Sequence, residues 1–529
     1  MNAASPQLHS QSQVVPPDVR HVDVLIVGAG ISGIGSAYHL HDQCPGKSYA
    51  VLEAKDTFGG TWDTHKYPGV RSDSDLYTFG YRFKPWVGPP IATAAEVLKY
   101  MGDVIDENGL APHIHYGHRI TACRWSSADN LWTVEATRKS DGAHVTFTAN
   151  LLWMCQGYYD HETPYVPDWA GLSDYRGTFV HAQMWDGSID YAGKRVLVIG
   201  SGATAATVVP AFAETASHVT MLQRSPTYFF AQPNQNELAN RLRQIGIDEP
   251  TIHRCVRAQV MFDMDVLTKR CETEPDVVFD ELKALICGYT GDDFEFEPHF
   301  TPAYRPWQQR LAFCPDGDLF KAAAAGKLTV VTDTIDRFTA KGVRTSSGQE
   351  IEADVIVACT GFNLQMMGGI PFAVDGRAVD WHDTVNYRGM LFTGVPNMVW
   401  VMGYFRASWT LRVDMLGDFV CRLINRMDEL GAKRIEVALR DEDAGMALNP
   451  WIEPDNFNPG YIQRGIGQMP RAGSKPEWRH NQDYWREREE IPAIDLGGSE
   501  FVYDGKRQAK AQAAEARKAD VTARATEPA

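Results

Sequence analysis

Two glycine turns limit what this chain can fold into more than any other feature, because each is entered from a short apolar strand and opens into a helical segment. The first, Gly28-Ala29-Gly30-Ile31-Ser32-Gly33, follows Val22, Val24, Leu25, Ile26 and Val27; the second, Gly200-Ser201-Gly202-Ala203-Thr204-Ala205, follows Arg195-Val196-Leu197-Val198-Ile199. A strand that delivers backbone amides and a helix N-terminus to one point builds a seat for a diphosphate. In the first turn, Gly28 permits the tight bend, Gly30 admits the diphosphate against bare backbone, and Gly33 lets helix and strand pack closely. Two such units predict an α/β protein with two Rossmann-like dinucleotide-binding domains.

The residue at the end of each unit's second strand says which nucleotide fits. Glu53 closes Tyr49-Ala50-Val51-Leu52; it can accept hydrogen bonds from ribose hydroxyls and would repel a 2′-phosphate, which suits FAD. In the second unit the corresponding stretch is Gln223-Arg224-Ser225. Arg224, with Ser225 as a hydroxyl donor, can pair with a 2′-phosphate, favouring NADPH over NADH. Opposite ribose preferences in one chain make FAD and NADPH the natural pair.

With 529 residues there is room for two or three cores. A net charge of −16 argues against nucleic acid or an anionic membrane as partner. The nine cysteines are scattered and include no C-x-x-C pair, so neither a zinc ribbon nor a dithiol redox motif is signalled, and no metal is expected. The N-terminus lacks the apolar core of a secretory signal, and no apolar run is long enough to cross a bilayer. These features lead us to expect a cytoplasmic enzyme, monomeric or a weak homo-oligomer.

Periodicity divides the chain further. Residues 1–20 read as a flexible lead-in and 505–529 as a flexible tail. A FAD-binding domain is expected from 21–160 and 365–504, discontinuous in sequence. An NADP-binding domain is expected from 161–230 and 325–364, and a helical insertion from 231–324, where Leu238, Leu242 and Ile245, then Val278, Leu282 and Leu285, repeat at helical spacing. Thr360 and Gly361 mark a strand-end turn where the chain passes between domains.

Two longer patterns carry a family resemblance. Between the glycine turns lies Tyr175–Asp186, YRGTFVHAQMWD, which follows F/Y-x-G-x3-H-x3-W-P/D; near the first turn, Gly59-Gly60-Thr61-Trp62, Tyr67-Pro68-Gly69 and Asp73 follow G-G-x-W-x4-Y-P-G-x3-D. Together they resemble the signatures of Baeyer–Villiger monooxygenases within the flavin-containing monooxygenase superfamily. The resemblance implies that NADPH reduces FAD, that dioxygen then forms a C4a-peroxyflavin, and that one oxygen atom enters beside a ketone carbonyl to give an ester or lactone. It assigns Arg310, in Trp307-Gln308-Gln309-Arg310, to the reacting centre with Arg305 as competitor, Asp73 as the acid that holds the arginine, and His181 to a conformational role. The cofactor-binding set is then Gly28, Gly30, Ile31, Ser32, Gly33, Glu53, Gly60, Thr61, Trp62, Tyr67, Asp73, Gly200, Ser201, Gly202, Ala203, Thr204, Arg224, Ser225, Thr360 and Gly361. Gln309 stands where the family has lysine. The loop RSDSDLYTFGY resembles a bacterial branch with sulfide-oxygenating members. Oxygenation of sulfur or nitrogen and a non-oxygenating NADPH-dependent flavin reductase are therefore the alternatives. The expected partners are a small ketone or sulfide and O2.

Overall fold

The computed structural model describes residues 19–507 apart from 454 and 456. The expected mobile lead-in and tail thus fall mostly outside the described residues. Where the two meet the fold, they are ordered: Val19 and Arg20 already belong to the first strand, and Lys506–Arg507 pairs with Phe501–Tyr503.

The larger sheet is built on β1 (Val19–Val27), which runs parallel to β2 (Tyr49–Leu52), itself parallel to β3 (Ile114–His115). The apolar ends of β1 and β2 are fully inside, so this is a strand pair covered on both faces. Beyond β1 lie β4 (His118–Ser126), β5 (Leu131–Arg138) and β6 (His144–Met154), joined antiparallel. Their alternation has the expected physical cause: Trp132, Val134 and Ala136 are buried while their neighbours are partly exposed. The strand Met398–Trp400 adds to β6 from the far end of the chain.

Helix α1 (Ile31–Gln43) crosses from β1 to β2, followed by α2 (Thr61–Thr64), α3 (Leu76–Phe79) and α4 (Ala94–Glu107). The smaller sheet is parallel throughout, from β7 (Thr178–His181), β8 (Arg195–Ile199), β9 (His218–Gln223), β12 (Leu328–Thr332) and β16 (Val355–Ala358). Helix α5 (Ala203–Thr215) joins β8 to β9. The hairpin strands β13 (Ile335–Thr339), β14 (Gly342–Thr345) and β15 (Glu350–Glu352) form a small antiparallel flap beside this sheet.

The segment expected as a helical insertion is mixed. It holds α6 (Glu237–Gln244), α7 (Glu249–Thr273) and α8 (Pro275–Thr290), but β10 (Phe229–Gln232) pairs in parallel with β11 (Ala312–Pro315), and α9 (Asp318–Ala324) follows. Packing divides it as well. Ala239, Ile252 and Val256 join the core of the larger sheet, whereas Ala312, Cys314, Leu319 and Phe320 join that of the smaller one. Residues 312–324 therefore belong by packing to the second unit.

A further helix, α10 (Trp409–Leu430), has no counterpart in the sequence reading. It lies alongside α1 in parallel sense: Gly35 meets Val413, Gly417 meets His39, and Lys47 reaches Asp428. Its Arg412 is fully buried, 2.8 Å from Glu487 and donating to the Met402 carbonyl at 2.7 Å. A charge held inside on such terms must keep its partners.

Candidate functional site

Both dinucleotide turns leave their helix ends open. Gly30 and Gly202 are the N-cap residues of α1 and α5; neither helix has a side-chain cap or an acid in its first turn. The first-turn amides and the positive end of each helix dipole stay available to an anion. A methyl group at Gly33 would sit 1.8 Å from the Gly28 carbonyl oxygen, so no larger residue fits that packing. Gly60, at φ +54°, faces Gly30; a Cβ there would come within 3.0 Å of the Gly30 Cα. The two glycines thus border a slot of bare backbone, and Ile31, Ser32 and Thr61 open the helices beside it.

Glu53 is buried at the head of this slot. Its Oε2 accepts from the Ala29 amide at 2.8 Å and its Oε1 from the Lys55 amide at 2.9 Å. Each oxygen retains further acceptor capacity, so the fixed carboxylate fits a ribose diol. These features suit the FAD nucleotide. Trp62 meets Phe79 edge-on at 5.6 Å between ring centroids. Ser32 Oγ accepts from the indole of Trp409 at 2.7 Å, and that indole stacks on Tyr158 at 5.5 Å. Tyr158 was not among the expected site residues.

Tyr67 is placed with the second turn rather than the first. It packs in the core of the smaller sheet, where α5 begins near Thr204. Two residues on, Gly69 passes close to Thr207 and Ala211. Arg71 pairs with Asp318 of α9 and donates to the Ala206 carbonyl at 3.3 Å. The stretch from Tyr67 to Arg71 therefore fastens the first unit to the second.

Just beyond it, Asp73 meets Arg310. Arg310 Nε lies 2.6 Å from Asp73 Oδ2, and its Nη2 donates to Oδ1 at 2.8 Å. Nη1 donates to the Phe405 carbonyl at 3.3 Å. Burial works against the guanidinium charge, but Asp73 outweighs it and holds the pKa above the ordinary arginine value. Arg305, the competing candidate, turns away to Glu272 at 3.7 Å. Arg310 and Asp73 line a cavity with Asp75, Met261, Trp307 and Arg406. Phe405, Ala407 and Ser408 line it as well. Asp75 caps α3 through the Tyr77 amide at 2.8 Å, yet burial raises its pKa to about 7.

His181 ends β7, is 5% exposed, and accepts from the Gln183 amide at 3.1 Å through Nδ1. Desolvation lowers its pKa to about 4, with the Gly361 backbone working weakly the other way. His65 and His161 share this neighbourhood, with ring centroids 6.0 Å apart; desolvation lowers them to about 3 and about 4. Trp185 is buried against Phe212.

At the far side of the second turn, Ser201 Oγ donates to the Ser225 carbonyl at 3.2 Å, and Arg224 and Ser225 are exposed. Arg464 was missed by sequence reasoning. Its guanidinium lies 3.4 Å over the Tyr165 ring and donates to the Phe362 carbonyl at 3.2 Å. Burial lowers its pKa first, and the charge of Arg224 adds to the effect. Two cations converging beside an uncapped helix and its glycine turn fit a 2′-phosphate. Thr360 Oγ1 donates to the Tyr165 carbonyl at 2.6 Å, so it ties the linker down, and Gly361 follows at φ +95°. Among the described residues no group of three or more His, Cys, Asp or Glu could hold a metal, and no helix is long and apolar enough to cross a membrane.

Residues 26–86 match the NAD(P)-binding Rossmann-like domain, and residues 99–246 match L-lysine 6-monooxygenase/L-ornithine 5-monooxygenase. The chain is 44% identical to FAD-containing monooxygenase EthA of Mycobacterium tuberculosis, over 88% of this chain and 94% of that one. It is 40% identical to the probable FAD-binding monooxygenase AlmA of an Acinetobacter species, over 89% and 94%. In fold it is similar to an oxidized steroid monooxygenase bound to NADP, with a TM-score of 0.69 at 21% identity, covering 91% of this chain and 99% of that one. It is likewise similar to cyclohexanone monooxygenase from Rhodococcus sp. Phi1 bound to NADP+, with a TM-score of 0.70 at 20% identity, covering 93% and 100%.

Proposed function

The chain belongs to the FAD-containing monooxygenases, and from that premise we propose that it is a Baeyer–Villiger oxygenase, consuming NADPH and O2 to convert a ketone to an ester or lactone, with NADP+ and water as the other products. The observation that carries this reading is the two-point pairing of Arg310 with Asp73 on the wall of the cavity.

FAD, when bound, supplies hydride acceptance and the activation of dioxygen. The chain supplies position and charge. The amides of the first turn and Glu53 would hold the FAD nucleotide; those of the second turn, with Arg224, Ser225 and Arg464, would hold NADPH. Arg310 keeps its proton, so it offers a fixed positive charge to an oxyanion growing on the substrate carbonyl. Asp73 orients that charge through both oxygens. His181, neutral and buried at the edge of the linker, is a positioning residue for the second unit. A cytoplasmic location belongs to the same proposal.

One observation favours a second reading, oxygenation of sulfur or nitrogen. That chemistry needs a proton delivered in the cavity, and Asp75, with its pKa raised to about 7 by burial, is a carboxyl able to carry one at neutral pH. The test is a product screen of simple ketones against sulfides with NADPH, read by gas chromatography. Ester from ketone at a rate exceeding sulfoxide from sulfide is expected; sulfoxide alone would overturn the ketone assignment.

A further inference from the structure

Helix α7 brings two thioethers to the cavity that holds Arg310. Met261 and Met264 stand three positions apart, so they share one face of the helix. Both line the cavity with Val260, and Phe313, Leu411 and Trp485 add apolar wall. Thioether sulfur is soft and polarizable, and it accepts an oxygen atom to become a sulfoxide. Nothing in the chemistry above uses either sulfur.

The helix is gripped where these residues sit. Trp485 Nε1 donates to the Met261 carbonyl at 3.2 Å, and the Tyr484 hydroxyl donates to the Met261 sulfur at 3.7 Å. One turn earlier, Arg257 Nη1 donates to the carbonyls of Tyr77, Thr78 and Gly80 at 3.0, 3.2 and 2.8 Å. The two methionines are thus fixed to the wall that also carries Asp73 and Asp75. Reactants held together in this way react far faster than those that must meet by diffusion. Met184 offers the contrast: it is 50% exposed, on the linker, and does not line the cavity.

We propose that Met261 and Met264 are modification sites, oxygenated to the sulfoxide by the protein's own turnover when the cavity holds no substrate. One oxygen atom of O2 bonds to the thioether sulfur, which gives up two electrons. NADPH supplies the other two as hydride, and the second oxygen atom leaves as water with one proton from solvent. A sulfoxide is polar and chiral where the thioether was apolar. The Tyr484 hydroxyl, already donating to the Met261 sulfur, is at hand for the new oxygen. The inference rests on the oxygenase reading only in placing oxygen transfer at this cavity; whether a ketone or a sulfide is the ordinary substrate does not enter.

The test is mass spectrometry of the FAD-loaded protein after incubation with NADPH and heavy-isotope O2, with and without catalase, and with no substrate added. Cleavage after Arg257 and after Lys269 releases one peptide that carries both methionines, and its fragments separate them. Heavy oxygen is expected in this peptide at about tenfold or more the level at Met184, a small part of what enforced proximity can supply. Catalase should leave that label in place. Equal label at Met184, or label on α7 that catalase abolishes, would point to freely diffusing peroxide and overturn the inference. A ketone or sulfide converted in the product screen while α7 stays unlabelled would overturn it too, and would leave the oxygenase reading standing. Label on α7 with every ketone untouched would support the modification and count against the ketone assignment alone.

Discussion

Asp73 and Arg310 lie far apart in sequence and meet through both carboxylate oxygens, at 2.6 and 2.8 Å, on the wall of the cavity. The pairing fixes the plane of the guanidinium as well as its charge. Arg310→Ala should therefore lose product formation by about a hundredfold or more, the scale seen when one preorganised donor to an oxyanion is removed. Arg310→Lys should not restore it, since an ammonium cannot match a two-point carboxylate. Product per NADPH consumed is the measurement, and ordinary yield from either variant would remove Arg310 from the chemistry.

Arg224 and Arg464 make a prediction about cofactor choice. Arg224→Ala should raise the KM for NADPH by about ten- to a hundredfold while leaving that for NADH nearly unchanged. Arg464→Ala should move the same ratio in the same direction. Steady-state kinetics with both cofactors decides it; equal effects on NADPH and NADH would refute the 2′-phosphate role.

Three imidazoles near the linker contribute to an acid limit on stability. Free histidine titrates near 6.5, whereas His65, His161 and His181 are held at about 3, about 4 and about 4. Below pH ~6.5 the unfolded chain binds protons that the folded one refuses. Stability is then full above that value and falls as pH drops toward about 4, by up to ~1.4 kcal/mol per pH unit for each imidazole. The melting temperature should fall steeply between pH 7 and pH 5, and His65→Phe should make the fall shallower. An unchanged slope would mean that these rings do not stay neutral in the fold.

Asp75 works in the opposite sense. Its folded pKa of about 7 lies above the free carboxyl value, so the stability that comes from keeping it neutral is present in acid and lost as pH rises through 7. Asp75→Asn keeps an acceptor for the Tyr77 amide and removes the charge. The variant should gain melting temperature over the parent at pH 8, with the difference closing toward pH 4. The sulfoxide-to-ester ratio should also lose its inflection near pH 7.

How much of this was legible in sequence depends on whether a residue acts through its own backbone or through a distant partner. The turns at Gly28 and Gly200 could be read because their conformational demands are local, and Glu53 and Arg224 because a second strand ends at a fixed spacing from the turn. Asp73 with Arg310 came from a resemblance, and geometry then separated Arg310 from Arg305. Helix α10 escaped because its apolar stripe is interrupted by Arg412 and Asp414, charges that are silent until Glu487 and His39 are seen beside them. Arg464 escaped for a similar reason: nothing near it in sequence points to Arg224. The insertion was read as wholly helical because β11 is four residues long, too short for alternation to register.

The fastening of Tyr67 and Arg71 to α5 and α9 has a mechanical consequence. Asp73 is only two positions past Arg71 on the same strap of chain. Any swing of the nicotinamide-side unit, as coenzyme arrives or departs, must tug that strap and with it the carboxylate steadying Arg310. On the proposed reading, loading of the coenzyme and the aim of Arg310 are thereby geared together.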